Sequence, residues 1–168
     1  MTQAVLRNEI SDLKPERGLD DESRRVTAER LSEVQADAFR LFVNVQGLHW
    51  NVEGPLFYSL HKLTEEQYEE LSESIDTLAE RVRALGLVPP ESLASYQTQS
   101  IIDDLPRDAS LKDRVRRLIS DYERAAERLT KAVKVAEEHG DVKSADLMTD
   151  RIGVYDENAW MLRATIAA

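Results

Sequence analysis

The sequence contains no cysteine, which removes disulfides, thiolate metal sites and cysteine nucleophiles together. Glycine (6) and proline (5) are both scarce in 168 residues, too few for a turn-rich β architecture. No apolar run approaches the ~18 residues a bilayer-spanning helix needs. The N-terminus, MTQAVLRNEISDLKPERG, has neither an apolar signal core nor a small-residue cleavage site, so the expected location is the cytoplasm. Positive charge is also in deficit. The formal net charge is -10, and such a surface repels phosphate backbones and favours cations.

What is present is helical periodicity. Leu31, Val34, Ala38, Leu41, Val45 and Leu48 recur at intervals of three and four, one face of a helix. A second stripe runs through Leu60, Leu63, Leu71, Ile75, Leu78, Val82 and Leu85. A third reads Leu111, Val115, Leu118, Tyr122, Ala126, Leu129, Val133 and Ala136; a fourth reads Ala145, Met148, Ile152, Tyr155, Ala159, Leu162 and Ile166. Four amphipathic helices in one short chain predict an all-α, four-helix bundle. The connections are unequal. Asn51 to Pro55 is a short link and Gly140 a C-cap, whereas Gly86 to about Asp108 is long enough to cross the bundle. A short extra helix is expected there, within Ser92 to Ile102. Residues 1–22 carry no stripe and read as a flexible arm, leaving 23–168 for the bundle.

Three histidines are available: His49, His61 and His139. His139 precedes Gly140 and suits a helix C-terminus, where its charge opposes the dipole. His49 reads either as an interior histidine hydrogen-bonded at a helix end or as a ligand; His61 is either a solvated residue or a ligand. Asp76 and Glu80 lie four apart on the second helix and so share a side. They form either a cation-binding pair or part of a solvated acidic face. At ~1.5 Å per residue, His61 and Asp76 are separated by roughly 22 Å along one helix and cannot share a metal within one chain. A two-fold axis crossing that helix near residues 68–71 would instead set His61 opposite Asp76 and Glu80 of a second copy.

Two runs of the sequence resemble the Dps family, the mini-ferritins of the ferritin-like superfamily. One is His49-Trp50-Asn51-Val52-Glu53-Gly54-Pro55-Leu56-Phe57 followed by His61; the other is Asp76-Thr77-Leu78-Ala79-Glu80-Arg81 followed by Leu85-Gly86. Trp160-Met161 fits the last helix, and the match spans roughly residues 25–168. The resemblance implies a ferritin-like bundle assembled into a dodecameric cage with a mineral cavity. Ferroxidase centres would lie at dimer interfaces, His49 and His61 from one chain facing Asp76 and Glu80 from the other. They would oxidise Fe(II), typically with hydrogen peroxide (dioxygen being the other oxidant), store Fe(III) mineral and protect against oxidative damage. Zinc or manganese would also suit such mixed nitrogen and oxygen ligation. The resemblance further assigns Glu65 to a second, weaker iron position and Trp50 to accepting oxidising equivalents. Asp141, Asp146 and Asp150 would surround three-fold pores, or serve only as acids near a helix N-terminus.

The alternative reading is a nucleoid-associated, DNA-condensing protein with secondary iron chemistry. Against it, residues 1–25 set Arg7, Lys14, Arg17, Arg24 and Arg25 against Glu9, Asp12, Glu16, Asp20, Asp21 and Glu22. Weak or absent DNA binding is therefore expected.

Overall fold

A computed structural model of the chain describes Pro15 and residues 18–167. Among these residues there are five helices and no strand: α1 (Asp21–Asn51), α2 (Phe57–Ala84), α3 (Leu93–Gln99), α4 (Leu111–Glu138) and α5 (Val142–Thr165). No helix among them is long and apolar enough to cross a membrane. The arm expected at 1–22 falls largely outside the described residues. Its boundary shifts, because Asp20 accepts from the Ser23 amide at 2.7 Å and caps α1 two residues earlier than expected.

The four long helices form two hairpins, α1 with α2 and α4 with α5, and α1 lies against α4 to close the bundle. The stripes meet in one core. Leu31, Leu41, Leu48, Leu60, Leu71, Leu78, Leu118 and Leu129 are fully buried, each contributing about 1.5–3 kcal/mol of transfer free energy. Tyr122 and Tyr155 meet edge-to-face at 5.4 Å in the middle, where burial pushes both phenols up from their ordinary range.

Turn chemistry explains the helix ends. Gly140 (φ 73°) follows α4; its amide donates to the Glu137 carbonyl, and the Asp141 amide donates to Ala136 at 2.8 Å. That pattern requires a left-handed residue, which glycine adopts without a Cβ clash. Gly86 ends α2 in the same way, its amide bonding Arg83 while Leu87 bonds Val82.

The crossover is held by side chains of its neighbours. Asp37 of α1 accepts from the Ile101 amide at 2.9 Å and the Ser100 hydroxyl at 2.8 Å. Arg128 and Arg124 of α4 donate to the carbonyls of Gln99 and Ile101. Arg40 and Asn44 of α1 donate to those of Ile102 and Asp103. Helix α3 is shorter than the expected Ser92 to Ile102 span. Ser92 is its cap, and Ser100 turns extended, bringing its hydroxyl and the Ile101 amide to Asp37.

Candidate metal centre at the junction of the first two helices

Helix α1 ends two residues past His49, so the His49 carbonyl has no helical partner. The His61 imidazole fills the vacancy, its Nδ1 lying 3.1 Å from that oxygen. The relation is reciprocal, with His49 Nδ1 2.8 Å from the His61 carbonyl. A carbonyl only accepts, so both Nδ1 atoms carry the proton. Each neutral ring then keeps an unprotonated Nε2, the form in which histidine binds a metal. The two rings stack at 3.8 Å with 17° between their planes. Phe57 also stacks with His61 at 5.0 Å, and Tyr68 meets His49 edge-on at 5.1 Å. Both rings are thus oriented on two sides by backbone and aromatic contacts.

Glu65 lies one turn beyond His61. The Lys62 ammonium, 2.6 Å away, holds its carboxyl below the ordinary range. Glu65 thus lies one turn from His61 while bound to Lys62. Around the junction Trp50 (69% exposed), Phe57 (46%) and Tyr58 (74%) form an open aromatic surface. Large aromatic rings grouped on a surface mark a site of association.

Asp76 and Glu80 are exposed on α2, one turn apart. The fold does not bring them to the histidines of the same chain: among the described residues, no three His, Asp or Glu side chains converge to hold a metal ion.

The acids at the start of α5 separate into two kinds. Asp141 is buried, caps α5 through the Ser144 amide, accepts from the Ser144 hydroxyl at 2.6 Å and pairs with Arg81 of α2 at 2.7 Å. Its carboxylate is engaged by the fold, in the manner of the helix-N-terminal alternative. Asp146 and Asp150 are exposed, and Asp146 pairs with Lys143 at 2.9 Å. His139 does sit at the α4 C-cap, with its Nδ1 3.1 Å from the Ser23 hydroxyl.

Sequence reasoning missed Thr64 and Tyr68. Thr64 donates to the Leu60 carbonyl at 2.6 Å beneath the His49 ring. The signal was available, since His61, Thr64 and Tyr68 are spaced three and four apart and line one face of α2.

Comparison with known proteins gives this geometry a family. A ferritin-like domain matches residues 28–168, so the chain belongs to the ferritin-like superfamily. Within it, the chain is 32% identical over 142 residues to the DNA protection during starvation protein of Helicobacter pylori, covering 84% of this chain and 99% of that one. The Dps structure from Staphylococcus aureus superposes with a TM-score of 0.80 at 30% identity, over 83% of this chain and 94% of that one. That from Vibrio cholerae, described as a member of a broad superfamily of ferritin-like diiron-carboxylate proteins, gives 0.83 at 28% identity over 93% and 96%. The chain is a member of the Dps family.

Proposed function

We propose that this protein is a ferroxidase and iron-storage subunit. Its site is completed across a two-fold axis by His49 and His61 of one chain and Asp76 and Glu80 of another. The observation that carries the reading is the reciprocal pairing of the two imidazoles with the two backbone carbonyls. Two unprotonated Nε2 atoms are thereby prepared beside an exposed aromatic surface, while an exposed carboxylate pair lies further along α2. Two nitrogens and two carboxylates suit Fe(II), and admit zinc or manganese. In the reaction, two ferrous ions lose one electron each, and one hydrogen peroxide takes both electrons and two protons to leave as two waters. The ferric product is stored as mineral inside a dodecameric cage, limiting oxidative damage in the cytoplasm. The Vibrio cholerae relative's diiron-carboxylate description supports iron as the substrate.

Complementation tests the shared site. His49→Ala/His61→Ala and Asp76→Ala/Glu80→Ala proteins should each lose rapid Fe(II) oxidation by peroxide. Dissociating, mixing and reassembling them should restore part of it, because some interfaces then receive both intact halves. Inactive hybrids, with subunit exchange shown by mass spectrometry, would refute the arrangement.

A further inference from the structure

We propose that Tyr68 gives the second electron to peroxide when a single ferrous ion occupies the site, and that Phe42 and Phe39 bridge the resulting oxidising equivalent to Tyr96. The proposal rests on the ferroxidase reading above and assigns that site a redox partner within the protein.

The contacts form an unbroken series of rings. Tyr68 stands edge-on to His49 at 5.1 Å and edge-on to Phe42 at 6.2 Å. Phe42 lies 6.5 Å from Phe39, and Phe39 stacks on Tyr96 at 4.1 Å with 7° between the planes. These separations lie within the range of direct aromatic contact. The spacing on α1 produces the series: Phe39, Phe42 and His49 are three and seven apart, one face of a helix. That face meets Tyr68 of α2 in the middle and Tyr96 of α3 at its end. The half-buried Tyr96 therefore stands in the crossover, remote from the site but joined to it by rings. Phenylalanine is not readily oxidised, so Phe42 and Phe39 serve as bridges between two tyrosines that are.

The chemistry gives this series a use. Glu65, one turn from His61 and the carboxylate proposed for a second ion, is bound to Lys62. With one ion present, Fe(II) supplies one electron and peroxide needs two. Without a second donor the O–O bond breaks to hydroxide and a hydroxyl radical. With Tyr68 as donor, Fe(II) and the phenol each give one electron. The phenolic proton and one solvent proton complete two waters, leaving Fe(III) and a tyrosyl radical. Electron transfer from Tyr96 to Tyr68, with loss of the Tyr96 proton to solvent and reprotonation of Tyr68, then moves the radical away from the site. Trp50 is 69% exposed, whereas the oxidisable ring in contact with His49 is Tyr68.

The test loads the assembled protein anaerobically with one Fe(II) per site and adds excess peroxide. Freeze-quench electron paramagnetic resonance reads the radical, and a nitrone spin trap followed by peptide mass spectrometry locates it. Wild type should give a tyrosyl signal and an adduct on Tyr96. Tyr68→Phe, which keeps the ring, should lose the tyrosyl signal and lower the Tyr96 adduct several-fold, while trapped hydroxyl radical rises above wild type. Phe42→Leu should keep the signal while lowering the Tyr96 adduct, and Trp50→Phe should keep both. A Tyr96 adduct at wild-type yield in Tyr68→Phe overturns the relay, as does iron oxidation in wild type without a tyrosyl signal. Iron oxidised no faster than in buffer would instead sink the ferroxidase reading, and the relay with it.

Discussion

Replacing Asp37 with alanine should destabilise the protein by about 3 kcal/mol. The carboxylate is 1% exposed and accepts from the Ile101 amide, the Ser100 hydroxyl and the Arg128 guanidinium, the last at 3.2 Å. Alanine leaves the first two donors without this acceptor, on a half-buried stretch of the crossover. Arg128 keeps Glu33 at 3.3 Å and the Gln99 carbonyl at 2.9 Å, which places the loss at the lower end of the ~3–5 kcal/mol expected for breaking a buried pair. For a chain of this length the melting temperature should fall by roughly 6–12 °C. Asp37→Asn retains an acceptor oxygen and should fall by less. The assay is thermal unfolding by circular dichroism at fixed protein concentration, because assembly shifts apparent stability by mass action. An Asp37→Ala protein melting within about 2 °C of wild type would refute the reasoning. The pH dependence adds a sign. Burial pushes the Asp37 carboxyl up, outweighing the pull of Arg128 and the bonds from Ile101 and Ser100. With the folded value above the unfolded one, the associated stability is fully present below about 3.8 and is lost as pH rises through the folded value. Asp37→Asn cannot titrate, so its deficit against wild type should be widest in acid and narrow toward neutrality.

At low salt, an assembled Asp146→Asn/Asp150→Asn protein should take up iron more slowly than wild type, with the gap closing as ionic strength rises; Asp141→Asn should instead lower the melting temperature, since it weakens a helix cap and the pairing with Arg81. Duplex DNA should shift little in a gel at physiological salt. Arg25 is already engaged with Glu22 and Glu29, and Arg24 with the Pro15 carbonyl. Nanomolar binding under those conditions would show that the arm contributes more than its charge suggests.

The helices were legible because apolar spacing reports burial directly: residues of every stripe, from Leu31 to Ile166, meet in one core. The ends at Gly86 and Gly140 were legible for a related reason, since few residues accept a left-handed backbone. Less visible was anything decided by pairing across the fold. Nothing in the spacing of Asp37 and Arg128, or of Arg81 and Asp141, announces that each pair meets. Asp141 therefore reads from sequence as one of three similar acids, although burial sets it apart. At the candidate site the residue types were apparent, but the form of the imidazoles was not. Their tautomers are set by two main-chain oxygens whose positions only the helix junction determines.

The crossover has a consequence for how this sequence can drift. From Gln99 to Asp103 it is gripped largely by its main chain, through four carbonyls and one amide that α1 and α4 reach with Asp37, Arg40, Asn44, Arg124 and Arg128. Main-chain groups are common to every residue except proline, which lacks the amide. The segment that looks like the loosest part of the chain is therefore free to change some of its own side chains. That tolerance is bounded within the segment itself, because the Ser100 hydroxyl bonds Asp37, Ile102 is buried in the core and Asp103 pairs with Arg117. The restrictions on its path are written in the helices to either side.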